Sequence, residues 1–468
     1  MLFNSHIFLF FFLPVALAGY WTLNGMRFLR AGMFWLLACS AVFYAWWSWS
    51  YLLLLIFSIF INFSISKLIE KYNADQTSGA APKLTLVFGI IFNLLLLSYF
   101  KYFNFLMESG AWVLGQEFKG KEFILPLAIS FYSIQQIVYL IDTYQGLCKG
   151  ISLLKYSVYI TFFPHLIAGP LVLYNELIPQ LGRIRSKIFD GSLATAGLML
   201  LSVGLLKKVL IADTLSTWVV AGFDGVDKLT FVEAWTSSLC YALQLYFDFS
   251  GYSDMAIGIA LLFNLKLPTN FRSPYKSRNI IIFWQNWHIT LSRVITNYLY
   301  VSILRLRTKL DFRFSMYATF IAMLIAGLWH GADWRFVIFG GMHGTALVVN
   351  HVWKRMKLKM PLPIAWALTF LWVDLALVFF RARNWDSVER MLSAMLTPES
   401  FGFADLQALS FMIMCFGLIF FAPNSENIKE RVLKRPSLKW AIVSGVALAF
   451  GLGALEFGNA TEFLYFKF

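Results

Sequence analysis

Residues 318–331 read ATFIAMLIAGLWHG, an apolar run that closes on Trp329, His330 and Gly331. The run predicts the end of a membrane helix, since about 20 apolar residues are needed to cross the hydrocarbon core of a bilayer. Ionisable side chains inside a membrane are rare and costly, and those that occur there are usually functional. His330 is therefore the first residue of this chain that needs a chemical explanation.

The same apolar character extends along the whole chain. Of its 468 residues, 59% are hydrophobic and 14% are charged, which is too apolar for a soluble domain with a polar surface. We therefore expect an all-α polytopic membrane protein of about ten to thirteen membrane helices or re-entrant segments. Neither a linker nor a tandem repeat divides the sequence, which predicts one membrane domain over residues 1–468. The apolar stretches fall near 7–23, 31–47, 51–66, 84–100, 123–141, 155–175, 194–214, 231–247, 314–330, 333–350, 362–380, 408–422 and 440–456.

The positive charge of the chain follows its membrane topology. The formal net charge is +14, but the cations lie in short loops between apolar stretches, as the positive-inside bias of membrane proteins predicts. Nucleic-acid binding is not expected, and the pattern indicates a multi-pass protein of the cytoplasmic (inner) membrane. The first apolar stretch has no cation before Arg27, so it predicts a retained span and not a cleaved signal.

One stretch, residues 266–313, is unusually basic. It carries nine cations against one acid, Asp311, so the positive-inside bias assigns it to the cytosol. Within it, residues 279–303 mix aromatic and aliphatic side chains with polar ones. That mixture is typical of short helices that lie in the membrane boundary.

The spacing of charges around His330 predicts a helical hairpin. From Arg313 to His330 is 17 residues, about 26 Å of helix, and a second basic cluster begins at Lys354. With both clusters in the cytosol, the histidine caps the hairpin between them. Tilt, or a break at Gly327, brings the imidazole towards the middle of the membrane.

Two histidines are candidates for acyl-transfer chemistry. A buried His330 should be neutral and able to remove a hydroxyl proton, a step commonly worth about two to four orders of magnitude in rate. The alternative is that His330 only bridges two helices by hydrogen bonds. His288, between Trp287 and Ile289, is equally well explained as an aromatic-flanked anchor at the membrane boundary.

A dense polar cluster occupies residues 244–254 within apolar surroundings. Its carboxylates and hydroxyls need partners, because an unpaired charge in the membrane is expensive. Gln244, Tyr246 and Asp248 are candidates for a polar lining of a substrate path. Hydrogen bonding between helices accounts for the cluster equally well.

The sequence does not predict a metal site. The four cysteines are scattered without paired spacing. His343 and His351 are eight residues apart, about 12 Å along a helix, which is too far to share an ion held by bonds of about 2 Å.

Several motifs in this order resemble the membrane-bound O-acyltransferase (MBOAT) family, and most of all its alginate O-acetylase (AlgI-like) branch. The resemblance covers nearly the whole chain. It rests on Ser98–Phe105 (SYFKYFNF), Leu125–Tyr132 (LPLAISFY), Phe162–Pro170 (FFPHLIAGP), Tyr246–Asp254 (YFDFSGYSD), Trp287–Ser292 (WHITLS) and Gly327–Gly331 (GLWHG).

This resemblance implies a helical fold around a tunnel, with His330 as the catalytic histidine and His288 as a second functional histidine. Trp329 and Asn286 are expected beside them as substrate-binding residues. The expected reaction is O-acyl transfer, in which an acyl group passes from a cytosolic thioester to an acceptor on the outer side. No bound cofactor is expected, and the donor is acetyl-CoA or an acyl-carrier thioester. The expected partners are membrane lipid and an extracytoplasmic acetyltransferase or polysaccharide export complex.

The identity of the acceptor stays open at this point. Gln285 and Asn286 occupy positions where the alginate branch carries a basic pair, and Asn297–Tyr300 is not followed by its paired glycines. The acceptor is expected to be an exported polysaccharide such as alginate or cellulose; the alternative is transfer of D-alanine or another acyl group to a cell-wall polymer. From composition alone, a transporter or a non-catalytic subunit of an export complex explains the buried polar clusters equally well.

Overall fold

A computed structural model describes residues 1–75, 79–121, 123–183, 188–225, 228–309, 311–398, 401–402, 405–457 and 462–464. Within these residues the regular structure is entirely helical, which confirms the all-α prediction. The helices are α1 (Leu13–Gly25), α2 (Leu29–Ala45), α3 (Trp49–Ala74), α4 (Ala81–Leu97), α5 (Phe103–Val113), α6 (Ile129–Tyr144), α7 (Leu153–Thr161), α8 (Phe163–Leu166), α9 (Tyr174–Gly182), α10 (Gly191–Leu206), α11 (Asp213–Asp224), α12 (Phe231–Leu262), α13 (Ile280–Asn286), α14 (Ile289–Val294), α15 (Val301–Leu304), α16 (Phe312–His330), α17 (Trp334–Arg355), α18 (Leu362–Arg381), α19 (Trp385–Leu396), α20 (Leu406–Phe421), α21 (Ser425–Lys434) and α22 (Leu438–Phe457). Four π-helical turns join or extend them, at Ile7–Phe12, Ser98–Tyr102, Lys207–Ala212 and Ile295–Tyr300, and Pro274–Lys276 forms a 3₁₀ turn.

The chain divides into two compact units. The first unit comprises Met1–Leu201, Met255–Pro268 and Arg435–Gly445, and the second comprises Ser202–Asp254, Thr269–Lys434 and Val446–Phe468. Both candidate catalytic histidines belong to the second unit. The expectation of one membrane domain over residues 1–468 stays a prediction.

The described helices make this a multi-pass membrane protein. Eight of them, including continuous helical runs, are long and apolar enough to cross a bilayer, and α20 with α21 forms a ninth candidate bent by 44°. The expected ten to thirteen also counted re-entrant segments, and two shorter apolar helical segments occur at Leu29–Ala45 and Ile289–Leu304. The apolar stretch 155–175 is divided between α7 and the four-residue α8, with Pro164 in the first turn of α8. Proline has no N–H to continue the hydrogen bonding of a preceding helix, so it marks a new helix start.

Polar side chains hold membrane helices of the first unit together. On α3 and α4, the amide groups of Asn62 and Asn93 hydrogen-bond each other at 2.7 and 3.3 Å, and both side chains are fully buried. An amide has two donors and an acceptor, so a reciprocal pair satisfies groups that lipid could not.

In the second unit, α16 and α17 form the hairpin that the charge spacing predicts. Asp333 caps α17 by accepting a hydrogen bond from the Arg335 backbone N–H at 2.8 Å. The helices touch backbone to backbone at Gly327 and Gly340, where an added Cβ on either glycine would collide with main-chain atoms of the other helix. Of the two alternatives, tilt or a break at Gly327, the break does not occur: α16 runs without interruption from Phe312 to His330, and Gly327 serves close helix packing.

Buried ion pairs account for the carboxylates of the polar cluster on α12. Lys208 lies 2.7 Å from Asp248 and 2.9 Å from Asp213, and the side chains of Lys208 and Asp248 are each 2% exposed. The other oxygen of Asp248 accepts the backbone N–H of Leu464 at 3.1 Å. Six residues further along α12, Asp254 pairs with Lys207 at 2.7 Å. These contacts support the interhelical explanation of the cluster that the sequence left open.

Gly327→Ala is expected to destabilise the protein by about 1–3 kcal/mol, because the new methyl group has no room between two backbones. The purified full-length protein in detergent should show a lower Tm. Gly417→Ala on α20 is the matched control, since nothing lies within 4 Å of an added Cβ there. Equal Tm values for the two variants would contradict the packing role of Gly327.

Lys208→Met is expected to cost about 3–5 kcal/mol, because it leaves two buried carboxylates without their cation. Thermal unfolding of the purified protein measures this loss. Lys434→Met removes the cation of an exposed pair with Glu430 and should leave Tm unchanged. A wild-type Tm for Lys208→Met would show that the buried pair has no structural role.

Candidate active site

His330 ends α16 inside a cluster of aromatic rings. Its side chain is 6% exposed, and its ring lies 5.0 Å from that of Trp329, 5.3 Å from Phe380 and 6.0 Å from Phe339. Gly331 follows it, and an added Cβ there would overlap the ring of Phe336. The glycine therefore lets the chain turn next to the imidazole without displacing this packing.

His330 lines a cavity of about 630 Å³. The cavity follows α16 from His330 back to Thr319, which is about 16 Å of helix. On α17 it extends from Phe339 to His351, one turn before the basic end of that helix. The imidazole therefore lies where a solute that enters from the basic ends of the hairpin can reach it.

A second, smaller cavity also borders His330. Its volume is about 10 Å³, close to the space that one water molecule occupies. His330 and His343 both line it, among mainly aromatic and aliphatic side chains that include Phe339 and Phe380. The sequence treated His343 only as half of an unlikely metal pair. The antiparallel packing of α16 and α17 brings His343 close to His330. The spacing of residues along a single helix could not have predicted this proximity.

His288 lies between α13 and α14 in a left-handed backbone conformation, with φ of 41°. Its ring is fully buried, and its Nδ1 is 3.1 Å from Oδ1 of Asn270. That oxygen also accepts the Thr290 hydroxyl at 2.9 Å, so Nδ1 is the donor to it and a neutral ring keeps Nε2 as its acceptor nitrogen. Burial lowers the pKa of His288 to about 3, which holds the ring neutral near pH 7.

Trp329 connects the two histidines. Its ring centroid is 6.4 Å from that of His288 and 5.0 Å from that of His330, with edge-on geometry to both. The two imidazoles therefore pack on one indole. Trp329 therefore lies beside both candidate histidines, and its role in substrate binding stays a prediction.

None of the five predicted substrate-binding residues lines either cavity, and His288 does not line them either. The side-chain amide N–H of Asn286 donates a hydrogen bond to the Ile282 carbonyl at 2.8 Å. Asp248 is held by Lys208, and Tyr246 packs on Tyr275 with ring centroids 5.4 Å apart. Gln244 is buried, and its Oε1 meets no hydrogen-bond partner among the described residues. Their roles in substrate binding stay predictions.

The chain matches the family model of MBOAT, the membrane-bound O-acyltransferase family, over residues 42–373. It is 40% identical to the peptidoglycan O-acetyltransferase of Helicobacter pylori, over 85% of this chain and 80% of that protein. It is 36% identical to the probable alginate O-acetylase AlgI of Pseudomonas putida over 100% of both chains. A more distant relative is the teichoic acid D-alanyltransferase of Bacillus subtilis, 24% identical over 50% of this chain and 60% of that protein.

These matches confirm the resemblance that the motifs indicated. They also decide between an enzyme and the transporter or non-catalytic subunit that composition alone left open. This chain belongs to the membrane-bound O-acyltransferase family and is a multi-pass membrane O-acyltransferase.

Proposed function

We propose that this protein transfers an acetyl group from a cytosolic thioester through the membrane for O-acetylation of an exported polysaccharide. The observation that carries the proposal is the position of His330 at the inner end of the 630 Å³ cavity. By the positive-inside bias, the basic ends of α16 and α17 face the cytosol. The donor, acetyl-CoA or an acyl-carrier thioester, enters from that end, where Arg293 lines the cavity and attracts an anionic donor.

In the proposed reaction, His330 acts as the general base. It takes the proton of the acceptor hydroxyl while that oxygen attacks the thioester carbonyl, and it then returns the proton to the departing thiolate. One ester bond forms, one thioester bond breaks, and the imidazole ends neutral, as it began. His288, held by Asn270 through Nδ1, keeps Nε2 as an acceptor nitrogen, and we assign it as the second catalytic or substrate-orienting group beside Trp329.

The lining of the smaller cavity favours an acetyl group over a D-alanyl group. Among the described residues that line the two cavities at His330, none is an aspartate or glutamate. A D-alanyl thioester carries an ammonium group, which needs an anionic or strongly polar partner when it leaves water. An acetyl group is uncharged and needs no such partner.

The acceptor is an exported polysaccharide such as alginate or cellulose. Named substrates of relatives support this class, since one acts on peptidoglycan and others are probable alginate O-acetylases. We place the protein in the cytoplasmic (inner) membrane, where an extracytoplasmic acetyltransferase or an export complex completes delivery to the polymer.

His330→Ala is expected to reduce O-acetylation of the exported polymer by about 10²–10⁴-fold, because the general base is lost. Mass spectrometry of the polymer from cells that express each variant measures the acetyl content. His6→Ala, at an exposed histidine of the first unit, is the control and should match wild type. Unmodified polymer should still be exported; loss of export itself would indicate a transport role, and unchanged acetylation would rule out His330 as the base.

His288 is expected to make folding stability depend on pH. Its pKa falls from an ordinary 6.5 to about 3 on burial, so the unfolded chain binds a proton that the folded chain excludes. The contribution of neutral His288 is complete above about pH 6.5 and is lost as pH falls towards about 3. Tm in detergent between pH 7 and pH 4.5 should fall less steeply for His288→Gln than for wild type. Gln285→Ala, at an exposed neighbour, is the control and should keep the wild-type dependence of Tm on pH. If Tm falls as steeply for His288→Gln as for wild type, His288 is not the source of this pH dependence.

A further inference from the structure

We propose that His343 is a third active-site histidine, which donates its Nε2–H to the acyl carbonyl oxygen as negative charge develops on it. This inference rests on the proposed function. It assigns a catalytic residue that the motifs around His330 and His288 did not include.

The first support is location. His343 is 1% exposed and lines the same cavity of about 10 Å³ as His330. A space of that volume admits one oxygen atom or one water molecule. The larger cavity meets His330 beside it, so an acyl carbonyl delivered there can turn its oxygen into the small cavity.

The second support is the proton on His343. The indole N–H of Trp284 donates to Nδ1 of His343 at 3.3 Å. A neutral imidazole that accepts at Nδ1 carries its hydrogen on Nε2. Trp284 therefore fixes the tautomer that supplies a hydrogen-bond donor.

The third support is rigidity. The imidazole lies parallel to the ring of Phe283 with an interplanar angle of 5°, and the ring of Phe339 contacts it with centroids 4.6 Å apart. Trp284 packs edge-on at 5.0 Å. A donor held on three sides needs no reorganisation as the transition state forms, and this is what makes such donors effective in a water-poor site.

Two of the other polar groups of the small cavity are committed elsewhere. The Tyr275 hydroxyl donates to the Ala242 carbonyl at 2.7 Å, and the Trp284 N–H is used by His343 itself. His330 is assigned to the hydroxyl proton in the proposed reaction. His343 and the indole N–H of Trp287 are the remaining donors of this lining, and His343 is the one that belongs to the same helical hairpin as His330 and has its tautomer fixed by Trp284.

The step balances without any added reagent. As the hydroxyl oxygen attacks, the carbonyl π pair moves onto oxygen, where Nε2–H of His343 stabilises it by a hydrogen bond. Collapse reforms the carbonyl and expels the thiolate, which takes its proton from His330. His343 keeps its own proton throughout.

The test compares His343→Leu with His343→Gln in inside-out membrane vesicles that contain the full chain. Acetyl-CoA is the donor outside the vesicles, at the cytosolic face, and unmodified polymer from His330→Ala cells is enclosed in the lumen, at the extracytoplasmic face, as the acceptor. His343→Leu should lower kcat by about 10²–10³-fold with KM for acetyl-CoA unchanged, because a donor that acts only in the transition state is lost. His343→Gln retains an amide N–H and should recover part of kcat. His165→Gln, at a buried histidine of the first unit, is the control and should match wild type.

A thiocarbonyl donor separates catalysis from packing. With the dithioester analogue of acetyl-CoA, the reacting C=S accepts hydrogen bonds poorly, so wild type should strongly prefer the oxygen donor and His343→Leu should have lost most of that preference. An unchanged preference, or a wild-type kcat for His343→Leu, overturns the role of His343. Absence of acetyl transfer by the wild-type vesicles instead overturns the proposed function, and the His343 assignment with it.

Discussion

The close approach of α16 and α17 at Gly327 and Gly340 is the constraint on which the site depends. Two helices can touch backbone to backbone only where side chains are absent, and each glycine lies against main-chain atoms of the other helix. This contact lies one turn from His330 on α16 and one turn from His343 on α17. It therefore fixes the distance between two histidines that are separated by a turn of the chain. A wider crossing would open the small cavity between them and admit water.

The aromatic surroundings explain how histidines persist at this depth. Each imidazole has one or more rings against it, so its apolar faces are covered and its nitrogens alone remain to be satisfied. For His288 and His343 the structure shows how one nitrogen is satisfied: Asn270 accepts from the first, and Trp284 donates to the second. The two rings are thereby set in opposite tautomers, one with an acceptor at Nε2 and one with a donor there. Acyl transfer needs both kinds of group, one for the hydroxyl and one for the carbonyl oxygen.

The sequence identifies which buried polar side chains need partners, but not always which residues those partners are. The helical hairpin at His330 and the short helices around His288 follow from charge spacing and from mixed polarity, which are local properties. Asp248 was correctly singled out as an expensive group. Its partner Lys208 is 40 residues away in the chain, and only the packed helices reveal that the pair is structural. A break at Gly327 was one alternative to tilt from the sequence, whereas in this hairpin the missing side chain of Gly327 is what allows contact between the helices.

The two cavities at His330 differ in a way that suits a small acyl group on a large carrier. The larger one has room for an extended arm and extends to within one turn of the basic end of α17, while the smaller one admits little more than a single heavy atom. A long acyl chain would find no space beyond Phe339 and Phe380, and a charged one would find no carboxylate there among the described residues. Under the proposed acetyl transfer, the volume of the smaller cavity favours a short acyl group at that position. The aromatic side chains that pack around His330 and His343 thus also limit the size of the group that can lie between them.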